Sequence, residues 1–88
     1  MGSVFSRSRI NFSTDLYIVE YGPGNGVFTD YLLKKASKNS RVIAIEKNKE
    51  LSDYLEGRDN DKRLKIFNDD AINVKNILDS LDIKSADY

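Results

Sequence analysis

The chain has 88 residues, with 14 Lys plus Arg balanced by 14 Asp plus Glu, and neither His nor Cys. That length admits one small domain at most, and the missing residue types exclude disulfides, thiolate zinc sites, Cys nucleophiles and a Ser-His-Asp triad. The charge balance gives no global basic excess toward nucleic acid or an anionic membrane, while 40% hydrophobic and 32% charged residues suit a soluble globular chain.

Residues 1–15 mix Ser and Arg with scattered Phe5, Ile10 and Phe12, and read as a flexible N-terminal arm. Arg7 and Arg9 there suit a solvated tail better than a phosphate contact. No apolar run approaches the roughly 18 residues of a membrane span. The first residues lack the apolar core of a secretory leader. Together with the absence of Cys, this predicts a cytoplasmic setting.

The first clear element is Leu16-Tyr17-Ile18-Val19-Glu20-Tyr21, rich in β-branched and aromatic residues and bounded by Asp15 and a Gly cluster. Its near-continuous apolarity predicts a strand buried on both faces. Gly22-Pro23-Gly24-Asn25-Gly26 is the turn, and a helix follows over 27–37, with Val27, Tyr31, Phe28 and Leu32 at helical spacing. Lys34 and Lys35 suit its dipole. Residues 41–46 form a second buried strand. Asn48 is placed to cap a helix over 49–56, with Leu51, Tyr54 and Leu55 inward and Gly57 closing it. After a polar loop, Leu64–Phe67 is a third short strand. A helix over 73–80 turns Val74, Ile77, Leu78 and Leu81 inward. Ala86-Asp87-Tyr88 begins a fourth strand. Tyr17, Tyr21, Tyr31 and Tyr54 are expected to pack.

The order β-α-β-α-β-α-(β) predicts an α/β fold: a partial doubly wound, Rossmann-like parallel sheet with a truncated fourth strand. Residues 16–88 would be the domain. Such sheets take ligands beyond the carboxyl ends of their strands.

Three features converge on that edge. The glycine turn after the first strand lets a ligand lie against bare backbone and aims a helix start at an anion, although a tight strand-to-helix turn has the same composition. Glu46, 24 positions after Gly22, ends the second strand, where a carboxylate matches two vicinal ribose hydroxyls; a strand-end acid paired with Lys47 or Lys49 is the plainer reading. Asn68-Asp69-Asp70-Ala71 follows the third strand, where an acid serves equally to meet an adenine amino group or to cap the next helix. These carboxylates lie on separate strands with no dedicated ligand loop, so no metal site is expected. The dinucleotide-binding fingerprint GxGxxG is the rival pattern, but position 27 is Val and the turn reads GxGxG.

At these residues the chain resembles the class I S-adenosylmethionine-dependent methyltransferases. Residues 19–29, VEYGPGNGVFT, resemble the family's first motif, VIAIE at 42–46 the second, and NDDA at 68–71 the third. The wording is similar to the group that holds ribosomal RNA adenine dimethyltransferases and phospholipid N-methyltransferases, with a slight lean to the phospholipid type from residues 70–88. The resemblance implies S-adenosylmethionine as cofactor. It implies that Gly22, Gly24 and Gly26 admit its methionine part and that Glu20 organises that turn. Glu46 would hold the ribose hydroxyls, Lys47 would flank the adenine ring, and Asp70 with Ala71 would recognise the adenine amino group. The acceptor would be an amine on a lipid head group or an RNA adenine.

The family's sheet has about seven strands in an order beginning 3-2-1-4-5. Its acceptor-site segment, an aromatic run with a Pro after the fourth strand, is not within these residues, so no catalytic residue is assigned and the chain alone is expected to be inactive. The exposed edge of the first strand is expected to drive self-association.

Overall fold

A computed structural model describes residues 11–58 and 60–88. Met1–Ile10, with Arg7 and Arg9, lie outside the described residues. The elements are β1 (Tyr17–Tyr21), α1 (Val27–Lys35), β2 (Arg41–Ile45), α2 (Lys49–Arg58), β3 (Leu64–Phe67), a 3₁₀ turn (Ala71–Asn73) and α3 (Val74–Ser80). The three strands form a parallel sheet in the order β1-β2-β3. Tyr17 pairs with Arg41 and Tyr21 with Ile45; Val42 pairs with Leu64 and Ile45 with Phe67. This is the predicted partial doubly wound α/β fold.

Both faces of the sheet are covered, which is why β1 and β2 read as continuous apolar runs. Leu16, Ile18 and Val42 pack with Leu32 and Leu33 of α1 on one face. Val19, Ile43 and Ile45 pack with Ile77 of α3 and with Ile83 on the other. Period-two alternation along each strand sends neighbours to opposite cores. Arg58 pairs with Asp30 at 2.8 Å, which sets α2 beside α1.

The chain then reverses. Residues 87–88 lie on the far side of β1 from β2: the Asp87 N–H donates to Tyr17 O at 2.8 Å and the Val19 N–H to Tyr88 O at 2.7 Å. The Asp87 carboxylate also accepts the Tyr17 N–H at 2.8 Å. These bonds run as a parallel pairing would, although residues 86–88 do not form a regular strand. The edge of β1 is therefore partly occupied. The carboxyl end of β1 becomes the place where winding switches direction, the usual ligand crevice of this architecture.

Several local expectations are corrected. Val27 is 69% exposed, and the inward residues of α1 are Thr29, Leu32 and Leu33, because the glycine turn rotates the first helical residue away from the sheet. Tyr17, Tyr21, Tyr31 and Tyr54 are all exposed rather than packed: the first two sit at the ends of β1, beyond helical cover, and the other two lie on outer helix faces. Tyr31 stacks on Phe28 there, and Arg58 lies over the Tyr54 ring at 5.8 Å. The first helix stops at Lys35, not Ser37, since Ala36 is extended. Arg63 takes the Ala36 and Ser37 carbonyls at 2.8 and 3.2 Å in place of further helix. Gly57 does not close α2, which runs on to Arg58, the turn needed for Arg58 to reach Asp30. Asn48 does cap α2, its Oδ1 accepting the Leu51 N–H at 3.0 Å.

No helix among the described residues is long and apolar enough to cross a membrane.

Candidate functional site

The carboxyl ends of the three strands carry the polar residues singled out by the sequence. Gly22, Gly24 and Gly26 all adopt positive φ, at 62°, 59° and 89°, a region costly for residues with a Cβ. Their surroundings differ. A Cβ on Gly22 would meet nothing within 4 Å, so its face is open for a ligand to approach. A Cβ on Gly26 would lie 2.7 Å from Leu55 Cδ2 and also against the Arg58 guanidinium. A Cβ there would force Leu55 and the Arg58 side chain to shift, so the packing of α2 constrains the third glycine apart from any ligand.

Glu46 follows β2 directly and is 6% exposed. Its Oε1 accepts the Gly24 N–H at 3.0 Å and its Oε2 accepts the Asn48 N–H at 2.9 Å. The two strand ends are therefore tied together through one carboxylate. Each carboxylate oxygen carries a second acceptor site, so two acceptor positions remain. The plainer alternative, pairing with Lys47 or Lys49, is not what the structure shows: Lys47 Nζ lies 3.5 Å from Asp70 Oδ2 and Lys49 pairs with Asp53 at 3.1 Å.

Glu20 points under α1 and is 3% exposed. Thr29 Oγ1 donates to its Oε1 at 2.5 Å. Burial raises the Glu20 pKa above the ordinary carboxylate value, the Thr29 hydrogen bond opposes that, and the nearby Asp30 charge adds to it. Glu20 therefore links the end of β1 to the first turn of α1. Thr29 was not singled out by the sequence. The available signal was a hydroxyl at an inward helical position, nine residues after a strand-end acid.

Asp70 caps the 3₁₀ turn, its Oδ1 accepting the Ile72 N–H at 3.1 Å. That bond, ahead of the charge of Lys47, holds its pKa below the usual range. Asp69 accepts from Asn73 Nδ2 and from the Asp70 N–H, both at 2.7 Å, and its pKa is lowered chiefly by Asn73. The capping role that the sequence left open for this acid pair is present. Lys47 is 82% exposed in its side chain, beside Asp70, and Ala71 opens the 3₁₀ turn.

Asn68 also joins the edge. Its Nδ2 donates to Glu46 O at 3.0 Å and to Lys47 O at 3.1 Å. A separate cavity of about 150 Å³, lined by Tyr17, Arg41, Ile43, Lys65, Leu81 and Ile83, lies at the opposite ends of the strands and shares no residue with this edge.

The arrangement offers an open glycine face, an oriented carboxylate on the next strand and a polar turn on the third. Such a surface is suited to bind and orient a small polar molecule.

A family model described as ribosomal RNA adenine dimethylase matches residues 4–85. The chain is similar to a probable ribosomal RNA small subunit methyltransferase A of Thermococcus sibiricus, 36% identical over 77 residues that cover 85% of this chain and 27% of the relative. It is also similar to a ribosomal RNA small subunit methyltransferase A of Pelagibacter ubique, 38% identical over 61 residues that cover 69% of this chain and 22% of the relative. The chain thus spans about a quarter of the length of these curated relatives.

Proposed function

The chain belongs to the ribosomal RNA adenine dimethylase family, and on that premise we propose that it forms the S-adenosylmethionine-binding portion of an RNA adenine N-methyltransferase. The bond from the Gly24 N–H to Glu46 carries this reading. It joins the glycine turn to the acid expected to hold a ribose, and it leaves one acceptor position free on each carboxylate oxygen.

The cofactor would lie along the open face at Gly22, with its ribose on Glu46 and its adenine near Lys47, Asp70 and Ala71. When bound, it supplies an electrophilic methyl group on a sulfonium. Glu20 would hold the turn in shape and Glu46 would fix the ribose. The remaining requirement is alignment of an acceptor nitrogen with that methyl, and alignment accounts for most of such a rate enhancement. The aromatic-Pro segment expected to provide it is not among these 88 residues, so the chain by itself is proposed not to turn over.

The similarity to ribosomal RNA methyltransferases favours RNA over a phospholipid head group as acceptor. Family membership also sets aside the dinucleotide-dependent oxidoreductase. A cytoplasmic setting and self-association through sheet edges belong to the same proposal. Concentration-dependent sedimentation would support the second, and a monomer at every concentration would count against it.

The test is calorimetric titration of S-adenosylhomocysteine into the wild-type chain. Saturable one-site binding supports the reading. A folded wild type that binds nothing removes it.

A further inference from the structure

We propose that Asn68 is a positioning residue for ribose recognition: its side-chain amide fixes the main chain at Glu46, and through it the direction of the Glu46 carboxylate. This rests on the ribose role proposed for Glu46.

Glu46 lies just past the last ladder residue of β2. Toward β1, the final ladder bond is from the Gly22 N–H to Ile45 O at 2.9 Å. Nothing on that side holds the backbone of residue 46 itself. Toward β3 it is held three times. The Glu46 N–H donates to Phe67 O at 2.8 Å, the Asp69 N–H donates to Glu46 O at 3.2 Å, and Asn68 Nδ2 donates to Glu46 O at 3.0 Å. The same Nδ2 also donates to Lys47 O at 3.1 Å. Asn68 therefore reinforces the backbone bond at Glu46 O and extends the pairing by one residue, to Lys47 O, with a side chain in place of backbone.

The consequence falls on the carboxylate. Its oxygens are pinned by two N–H groups from different segments, Gly24 in the glycine turn and Asn48 at the start of α2. Both bonds require the backbone between Glu46 and Asn48 to hold one path. Asn68 clamps the two carbonyls on that path. With the clamp, the free acceptor positions of Glu46 keep a fixed spacing and direction, which vicinal hydroxyls need. Without it, Glu46 keeps its backbone bonds to Phe67 and Asp69, but Lys47 O loses its side-chain donor and the path from Glu46 to Asn48 is less firmly held. Asn68 has no contact with the ligand in this account, since its amide protons are directed at main-chain oxygens. Oriented groups held by a supporting shell lose binding when that shell is removed.

The test separates orientation from general damage by using a ligand pair that differs only at the ribose. S-adenosylhomocysteine and its 2′-deoxy analogue are titrated by calorimetry into the full chain, with circular dichroism melts of each variant. Wild type is expected to prefer the ribose ligand by about tenfold, the scale of one hydrogen bond to a charged acceptor. Asn68→Asp keeps the shape and removes both donors; it should reduce the preference to within about threefold while affinity for the deoxy analogue changes less than that. Asn68→Ser, with one donor on a shorter arm, should fall between. Equal weakening toward both ligands, or an unchanged preference in a folded variant, overturns the role of Asn68 alone. A wild type that binds both ligands equally overturns the ribose role of Glu46, and this inference with it.

Discussion

The carboxylate of Glu46 and the backbone N–H of Gly24 stand 3.0 Å apart, so an acid at the end of one strand holds the turn that follows its neighbour. The bond crosses 22 residues of sequence and exists only because β1 and β2 pair in parallel register, with Tyr21 beside Ile45. It explains how a Gly-rich turn, flexible by composition, keeps one shape.

Replacing that acid tests the site directly. Glu46→Ala is expected to weaken S-adenosylhomocysteine at least about tenfold, the loss of hydrogen bonds to a charged acceptor. Glu46→Gln should not rescue it. One end of the amide is an NH₂ group, which would face either the Gly24 or the Asn48 N–H, donor against donor. Calorimetric titration of both variants checks this, and near-wild-type binding by the Gln variant would refute the argument.

Glu20 gives the chain a pH dependence of definite sign. Its folded pKa is raised above 4.5, chiefly by burial. Between its unfolded and folded values the native state binds more protons than the unfolded state. Its contribution to stability is therefore most favourable below about pH 4.5, declines as pH rises through the folded value, and is least favourable above it. Glu20→Gln should remove this slope, so the variant's melting temperature should gain on wild type more at pH 7 than at pH 4. Thr29→Val should cost about 1–3 kcal/mol at neutral pH by removing the hydroxyl donor, and less at acid pH. Parallel melting curves for Glu20→Gln and wild type across that range would refute the assignment.

Two glycines of one turn should respond differently to the same change. Gly22→Ala introduces left-handed strain of about 1–2 kcal/mol into open space, so the variant should fold, and its loss should show in ligand affinity. Gly26→Ala adds a collision with Leu55 and Arg58, costing about 1–3 kcal/mol more by overpacking. Its loss should show first in the melting temperature. Equal melting temperatures for the two variants would mean that α2 moves aside freely.

These contrasts mark where the sequence was legible. Order and type of elements followed from apolar runs alternating with helical spacing, because a doubly covered parallel sheet leaves that pattern in β1 and β2. Glu46 stood out because doubly wound folds place a ribose-binding acid at about that separation from the glycine turn. The position of the tyrosines was not legible: composition favours burial of aromatics, whereas exposure depends on how far each helix extends over the sheet. Asn68 and Arg58 were hidden for a different reason. Their partners, Glu46 and Lys47 for one and Asp30 for the other, are remote in sequence and meet only through register and helix placement. At Gly26 packing and ligand approach both demand a missing Cβ, so the packing demand was not separable from a ligand role in the sequence.

The end of α3 supplies a stabilising change away from the site. Asp82 has φ 60°, the only positive value at a non-glycine among the described residues. The Ile83 N–H donates to Leu78 O at 2.9 Å and the Asp82 N–H to Asp79 O at 3.0 Å, the paired bonds of a Schellman cap with Asp82 at its left-handed position. The cap folds Ile83 back against Ile77 in the core, so it cannot relax without exposing an apolar side chain. Asp is a poor occupant on two counts: its Cβ is strained there, and its charge faces the negative end of the helix dipole. Asp82→Gly should therefore stabilise the chain by about 0.5–1 kcal/mol, a rise of a few degrees in melting temperature for a domain of this size, at ~4–8 °C per kcal/mol. Asp82→Asn removes the charge and keeps a Cβ, so it should recover only the electrostatic share. That share should shrink in high salt while the remaining gain of Gly over Asn does not. A Gly variant no more stable than the Asn variant would show that the left-handed conformation carries no strain at this position.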